Sequence, residues 1–189
     1  MAFWLARLIE VPANFLKGSV KLKTAKLTLF ITSLVVLLLF FVININTVSP
    51  ITVSGNGNPF LIVAAPLLPL FILMVLLWGR IFRVHSISQR ISIVGIILTF
   101  VHLIIAFIYQ RISLANYREI IKDAYIKKYG EVDSQYIQDI TTALDIHVNN
   151  QYFNVNTFFM FISFSIFIAF VFYLWGIHEN EVESRDGQQ

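Results

Sequence analysis

Apolar residues in this chain are gathered into four long runs, at 27–43, 60–78, 91–109 and 158–175, separated by polar connectors. Uninterrupted runs of this length are the signature of helices crossing a bilayer, not of a water-soluble core. At about 1.5 Å of rise per residue, even the shortest run reaches about 26 Å, enough with its flanks to cross the hydrocarbon layer. The predicted fold class is an all-α membrane protein with four transmembrane helices. Pro66 and Pro69 fall inside the second run and predict a kink there.

Between the third and fourth runs lies 111–156, the one long stretch that reads like soluble protein. It mixes Arg111, Arg118, Lys122, Lys127 and Lys128 with Glu119, Asp123, Glu131, Asp133, Asp139 and Asp145. Leu114, Tyr117, Ile121 and Ala124 step by three and four, which predicts that the third helix continues as one long helix until Gly130 stops it. Val132, Tyr136, Ile140 and Leu144 repeat every four and predict a second helix ending at Asn149 and Asn150. The two faces pack on each other as a helical hairpin, or dock on a partner.

The remaining segments are short. Residues 1–26 read as an interfacial amphipathic helix with Trp4 at headgroup depth, or a frayed tail, followed by Lys17, Lys21, Lys23 and Lys26. The connector 44–59 carries no charge, and its Ser-Gly-Asn-Gly-Asn-Pro run is turn chemistry. Residues 27–176 form the transmembrane domain with its inserted polar segment, and 177–189 form an acidic tail.

Composition sharpens this picture. The chain is 57% hydrophobic and 13% charged, against roughly a quarter charged in soluble domains. Its net charge of +3 sits beside the apolar runs, where it sets topology. Nine Lys and Arg flank the N-terminal, second-connector and C-terminal side, against five on 111–156 and none on 44–59. That bias predicts both termini in the cytosol, with 44–59 and the 111–156 hairpin outside, in a multi-pass protein of the inner (plasma) membrane. No basic face of a soluble fold is visible, so no direct nucleic-acid binding is expected. The chain lacks cysteine, which removes thiolate chemistry and disulfides.

Catalytic signatures are missing from the sequence. His85, His102, His147 and His178 are scattered without metal-ligand spacing, and no carboxylate lies within an apolar run. The expectation is a non-enzymatic protein with no catalytic residue, metal or cofactor. His102 is the one ionisable side chain inside a run, and it shares a small-and-polar stripe with Gly95, Thr99 and Ala106. Such a stripe lets helices approach closely and hydrogen-bond across the contact, or forms a buried switch or pore lining. It is expected to face protein, while much of the Phe-rich fourth helix faces lipid. Arg80, Arg83 and Arg90, with the acidic Glu179, Glu181 and Glu183, are candidate contacts for a cytosolic protein or for anionic lipid.

Four spans, termini inside and a larger second outer loop resemble the plan of tetraspanins and claudins, which depend on outer-loop cysteines that this chain lacks. In size and plan the chain also resembles the transmembrane subunit of Kiwa antiphage systems and the membrane immunity proteins against pore-forming colicins. The uncharged Ser/Asn/Pro loop at 47–59 is similar to the outer loop of the immunity proteins. The Kiwa resemblance implies a homo-oligomeric sensor or anchor in the bilayer that signals an envelope event to a cytosolic effector. The second implies immunity to a pore-forming bacteriocin. A third reading is a channel or transport accessory built around the His102 stripe.

Overall fold

The computed structural model describes residues 22–52, 57–142 and 145–186, with side chains through His178. The expected interfacial helix within 1–16, with Lys17 and Lys21, lies outside the described residues, as do residues 53–56 of the turn-rich connector. All regular structure among the described residues is helical: α1 (Leu22–Ile45), α2 (Leu61–Ala64), α3 (Leu67–Val84), α4 (Gln89–Tyr129), α5 (Ser134–Ile140), a 3-10 turn (Ile146–Val148), α6 (Asn149–Tyr152) and α7 (Val155–Asp186). Four stretches are long and apolar enough to cross a membrane: Leu22–Ile45, Leu61–Val84, Gln89–Tyr129 and Val155–His178.

Element ends follow local chemistry. α1 starts before the apolar run and takes in Lys23 and Lys26, whose unbranched stems suit a helix and can lie along apolar surface with the ammonium in water. The second run is interrupted at Ala65 and Pro66, inside the stretch where a kink is expected. α2 ends at Ala64 and α3 starts after Pro66, which offers no N–H and crowds the preceding turn. Pro69 falls in the first turn of α3, where no intrahelical donor is required. α4 runs unbroken over 41 residues to Tyr129, and Gly130 terminates it at φ +83°, a conformation that side chains resist.

The helix predicted from Val132 to Asn149 is a correction. α5 covers only Ser134–Ile140, opened by Asp133 accepting from the Gln135 amide. At its end the Thr141 hydroxyl bonds back to the Ile137 carbonyl at 2.7 Å and accepts from Arg118 Nε at 2.9 Å. Asp145 then caps a separate turn, so the fourfold apolar repeat is cut by local side-chain to backbone bonds. Leu144 lies outside the described residues. The stretch 177–186, expected as a tail, continues α7.

The chain divides into two compact units. One comprises Met1–Leu34, Pro69–His102 and Ile162–Gln189. Its core is aromatic: Val75, Phe82, Ala169 and Phe170 are buried together, and Phe82 stacks on Phe170 with centroids 4.2 Å apart. The other comprises Val35–Leu68 and Leu103–Phe161. There Ile121 and Tyr125 of α4 bury against Ile137 and Ile140 of α5, while Phe40 meets Phe153, Phe158 and Phe161 edge-on.

Along α7 through His178, Val155, Phe159, Phe164, Trp175 and His178 are exposed and most other positions are half-buried. α4 carries the longest exposed apolar face, from Ile91 to Tyr109.

Candidate functional site

Two connectors that are far apart in sequence meet in the second unit. The Asn44 amide donates to the Phe153 carbonyl at 2.8 Å, and the Asn58 amide donates to Asn149 Oδ1 at 2.6 Å. Asn149 returns a longer bond of 3.4 Å to the Asn46 carbonyl. His147 Nε2 lies 2.8 Å from the Thr52 carbonyl, and Lys128 Nζ reaches the Ile51 carbonyl at 3.3 Å. Together these bonds clasp residues 44–52 and Asn58 onto 147–153 and onto Lys128 of α4. Within the connector the Asn44 and Ser49 carbonyls are met locally by Thr47 and Thr52, while those of Asn46, Ile51 and Thr52 accept from side chains elsewhere in the chain.

His147 is the centre of this clasp and is fully buried, at 0% exposure. The Asp145 carboxylate accepts from the His147 backbone amide at 3.0 Å, capping the 3-10 turn. The same oxygen lies 2.7 Å from His147 Nδ1. Asp145 itself stays 24% exposed, so its carboxylate keeps contact with water. One imidazole is therefore held from both sides by oxygens.

A second polar group joins α4 to the start of α7. Gln110 donates to the Gln151 carbonyl, and the Ser113 hydroxyl donates to Gln151 Oε1 at 2.9 Å. Asn154 and Asn156 each donate to Gln110 Oε1, at 3.3 and 3.2 Å, and Asn156 also reaches the Ala106 carbonyl at 3.0 Å. Amides suit this role because each carries donors and an acceptor and pairs without a charge to desolvate.

The residues singled out from the sequence fall in three groups. Gly95 touches the Phe170 ring, so closely that a Cβ there would meet it at 2.4 Å. Thr99 bonds back to the Gly95 carbonyl at 2.7 Å, within its own helix. Ala106 is buried at 4%. The stripe therefore packs by shape, and its hydroxyl does not bridge helices.

His102 departs from expectation. Its Nδ1 is buried without a hydrogen-bond partner among the described residues, so the interhelical bond expected of it is not formed. Replacing it by Leu removes an unsatisfied polar group instead of breaking a bond. His102→Leu should thus leave thermal stability in detergent within about 0.5 kcal/mol of wild type or raise it. A large loss in a melting assay would show that His102 has a partner after all.

The basic candidates lie at helix ends, Arg80 and Arg83 at the end of α3 and Arg90 at the start of α4. A small cavity beside Arg83 is lined by Gly79, Val75, Ala169 and Tyr173. Glu179, Glu181 and Glu183 lie on the α7 backbone, and their side chains are outside the described residues. Among the described residues no three His, Cys, Asp or Glu side chains could share a metal ion.

Sequence reading missed the clasp because it followed charge. The signal that was available is amide density: Asn44, Asn46 and Asn58 lie on or beside one connector, and Asn149, Asn150, Gln151, Asn154 and Asn156 on or beside the other. Comparison of the chain with family models, curated proteins and solved structures found no match in any of the three.

Proposed function

We propose that this protein is a non-enzymatic sensor or anchor subunit of a bacterial inner membrane, in antiphage defence of the Kiwa type. Four helices able to span a bilayer support the anchor. The observation that carries the sensor is the clasp. Two connectors outside the apolar stretches are held by a small set of hydrogen bonds centred on His147 and Asn149. Such an assembly has a closed form and, by breaking few bonds, an open one, which is what transmission of an envelope event requires. In this reading both termini and the Arg80, Arg83 and Arg90 loop are cytosolic, and the clasp is outside. The subunits form a homo-oligomer, and the basic loop with Glu179, Glu181 and Glu183 recruits or restrains a soluble effector.

One experiment tests both halves. Single-cysteine variants at Arg83 and Asp139 are labelled in intact cells with an impermeant reagent, with position 139 expected to react and 83 to stay silent. In the same membranes, with native neighbours expressed, Arg80, Arg83 and Arg90 are reversed to Glu. Insertion should be retained, the co-purifying cytosolic protein lost, and protection in a phage challenge abolished. Labelling at 83 overturns the orientation. A monomer with no cytosolic partner, protecting fully against a pore-forming toxin, would replace this reading with the immunity one.

A further inference from the structure

Arg83 stands at the end of an apolar groove. Val75, Gly79 and Arg83 are spaced by four and share one face of α3, as Ala169 and Tyr173 do on α7. The small cavity between these faces is walled further by Leu76 and Phe172. Both faces belong to the aromatic unit, whose contacts fix them in place. Phe82 of α3 stacks on Phe170 of α7, and the Tyr173 hydroxyl donates to the Ile87 carbonyl at 2.8 Å, just past the end of α3. Gly79 leaves the space between the walls open. Outside its own helix backbone, a Cβ there would meet only Arg83 Nη2, at 4.0 Å.

That distance also reports where the charge lies. Side chains of a helix lean toward its N-terminus, and for Arg83 that direction leads back along the apolar stretch Leu61–Val84. The guanidinium accordingly lies one turn back, beside Gly79, on the apolar side of its own Cα. A cation turned toward hydrocarbon is costly unless an anion meets it there. Arg83 takes part in neither ion pair found among the described residues, Lys122–Glu119 and His147–Asp145. Its side chain is exposed, so a ligand can reach it. Arg80, three residues earlier on α3, adds a second positive charge to the same helix end.

We propose that this groove binds one anionic phospholipid of the adjoining leaflet. Its phosphate takes the Arg83 guanidinium, whose paired N–H donors match phosphate oxygens. One acyl chain lies along the apolar walls of Val75, Leu76, Ala169 and Phe172. Charge complementarity selects the occupant. The groove is apolar along its length and cationic at the end that meets the headgroups, which is the order of parts in a phospholipid. A free phosphate would leave the apolar walls bare. The site is the same for either orientation of the chain, because α3 ends at a membrane surface in both. It goes beyond the effector reading of the basic loop and does not rest on it.

The test uses the purified full chain in mild detergent. Native mass spectrometry counts retained ligands during titration with phosphatidylglycerol, phosphatidylcholine or inorganic phosphate. One phosphatidylglycerol per chain should be held about tenfold more tightly than phosphatidylcholine, the order of one charge-assisted bond. Arg83→Gln should remove that preference. Gly79→Leu, which fills the groove and keeps the charge, should remove retention of either lipid. Arg111→Gln, an exposed cation just past the other end of the α4 apolar run, should change neither. Inorganic phosphate should not compete. In wild-type membranes, phosphatidylglycerol with a photoactivatable acyl chain should crosslink first at Leu76 and Phe172, which decides the matter if a variant does not purify. Displacement by inorganic phosphate would reduce the site to one for a free ion and overturn the lipid. Equal retention of the two lipids by the wild-type chain, equal loss in Arg111→Gln, or crosslinks spread along the exposed face of α4 would overturn it too. No cytosolic protein and no defence assay takes part, so failure here is separate from failure of the proposed function.

Discussion

Gly95→Leu should collapse the aromatic unit, with loss of a monodisperse, cooperatively melting protein in detergent. A Cβ at this position would lie 2.4 Å from Cε2 and 2.6 Å from Cζ of Phe170. The ring cannot easily retreat, because it is only 9% exposed and stacked on Phe82 at 4.2 Å with planes 12° apart. Overpacking a fitted core costs about 1–3 kcal/mol for small insertions and more for larger ones. Gly95→Ala recovers about 1 kcal/mol of helix propensity, so it should be the milder variant. Phe170→Ala in the same chain makes room and should restore melting to Gly95→Leu. A Gly95→Leu protein that melts like wild type would show that the ring contact does not decide the packing.

Asn149→Leu should open the clasp while leaving insertion untouched. Asn149 is 1% exposed, accepts from Asn58 and donates to the Asn46 carbonyl. Leucine has similar bulk but removes both bonds, at about 0.5–1.5 kcal/mol for each, since the partners are half-buried. The apolar stretches are unchanged, so membrane fractionation should match wild type. The measured loss is a lower melting temperature and faster hydrogen exchange across 44–58. Unchanged exchange there would mean that the two connectors are held by other contacts.

Legibility differed between the two kinds of structure. The long helices were readable because their signal is local and redundant. Many apolar residues vote for each span, and Gly130 alone marks the end of α4 with its φ of +83°. The interruption at Pro66 was readable as well, because a proline inside a helix lacks the N–H and crowds the preceding turn. The division of α5 from the turn after it escaped periodicity altogether. Val132, Tyr136 and Ile140 do approach α4, but Asp145 and Thr141 spend their side chains on the backbone and interrupt the helix. The clasp was the least visible feature. Its bonds join residues 77 to 109 positions apart, and uncharged amides leave no mark in hydropathy or charge counts. His102 shows the reverse case, an arresting residue in the sequence whose buried Nδ1 finds no hydrogen-bond partner among the described residues.

The sequence distance across the clasp also orders the protein's biogenesis. The 44–58 connector leaves the ribosome and the insertion machinery well before His147, which follows Thr52 by 95 residues. Until the last connector is made, the carbonyl of Thr52 and the amides of Asn44 and Asn58 have only water to bond. The first helical pair can be inserted and still be recognisably unfinished, with an open polar loop on display. Closure arrives with synthesis of 147–153, immediately ahead of the final helix. A chain stopped short of that point therefore carries its own label of incompleteness, legible to any protease that attacks exposed loops.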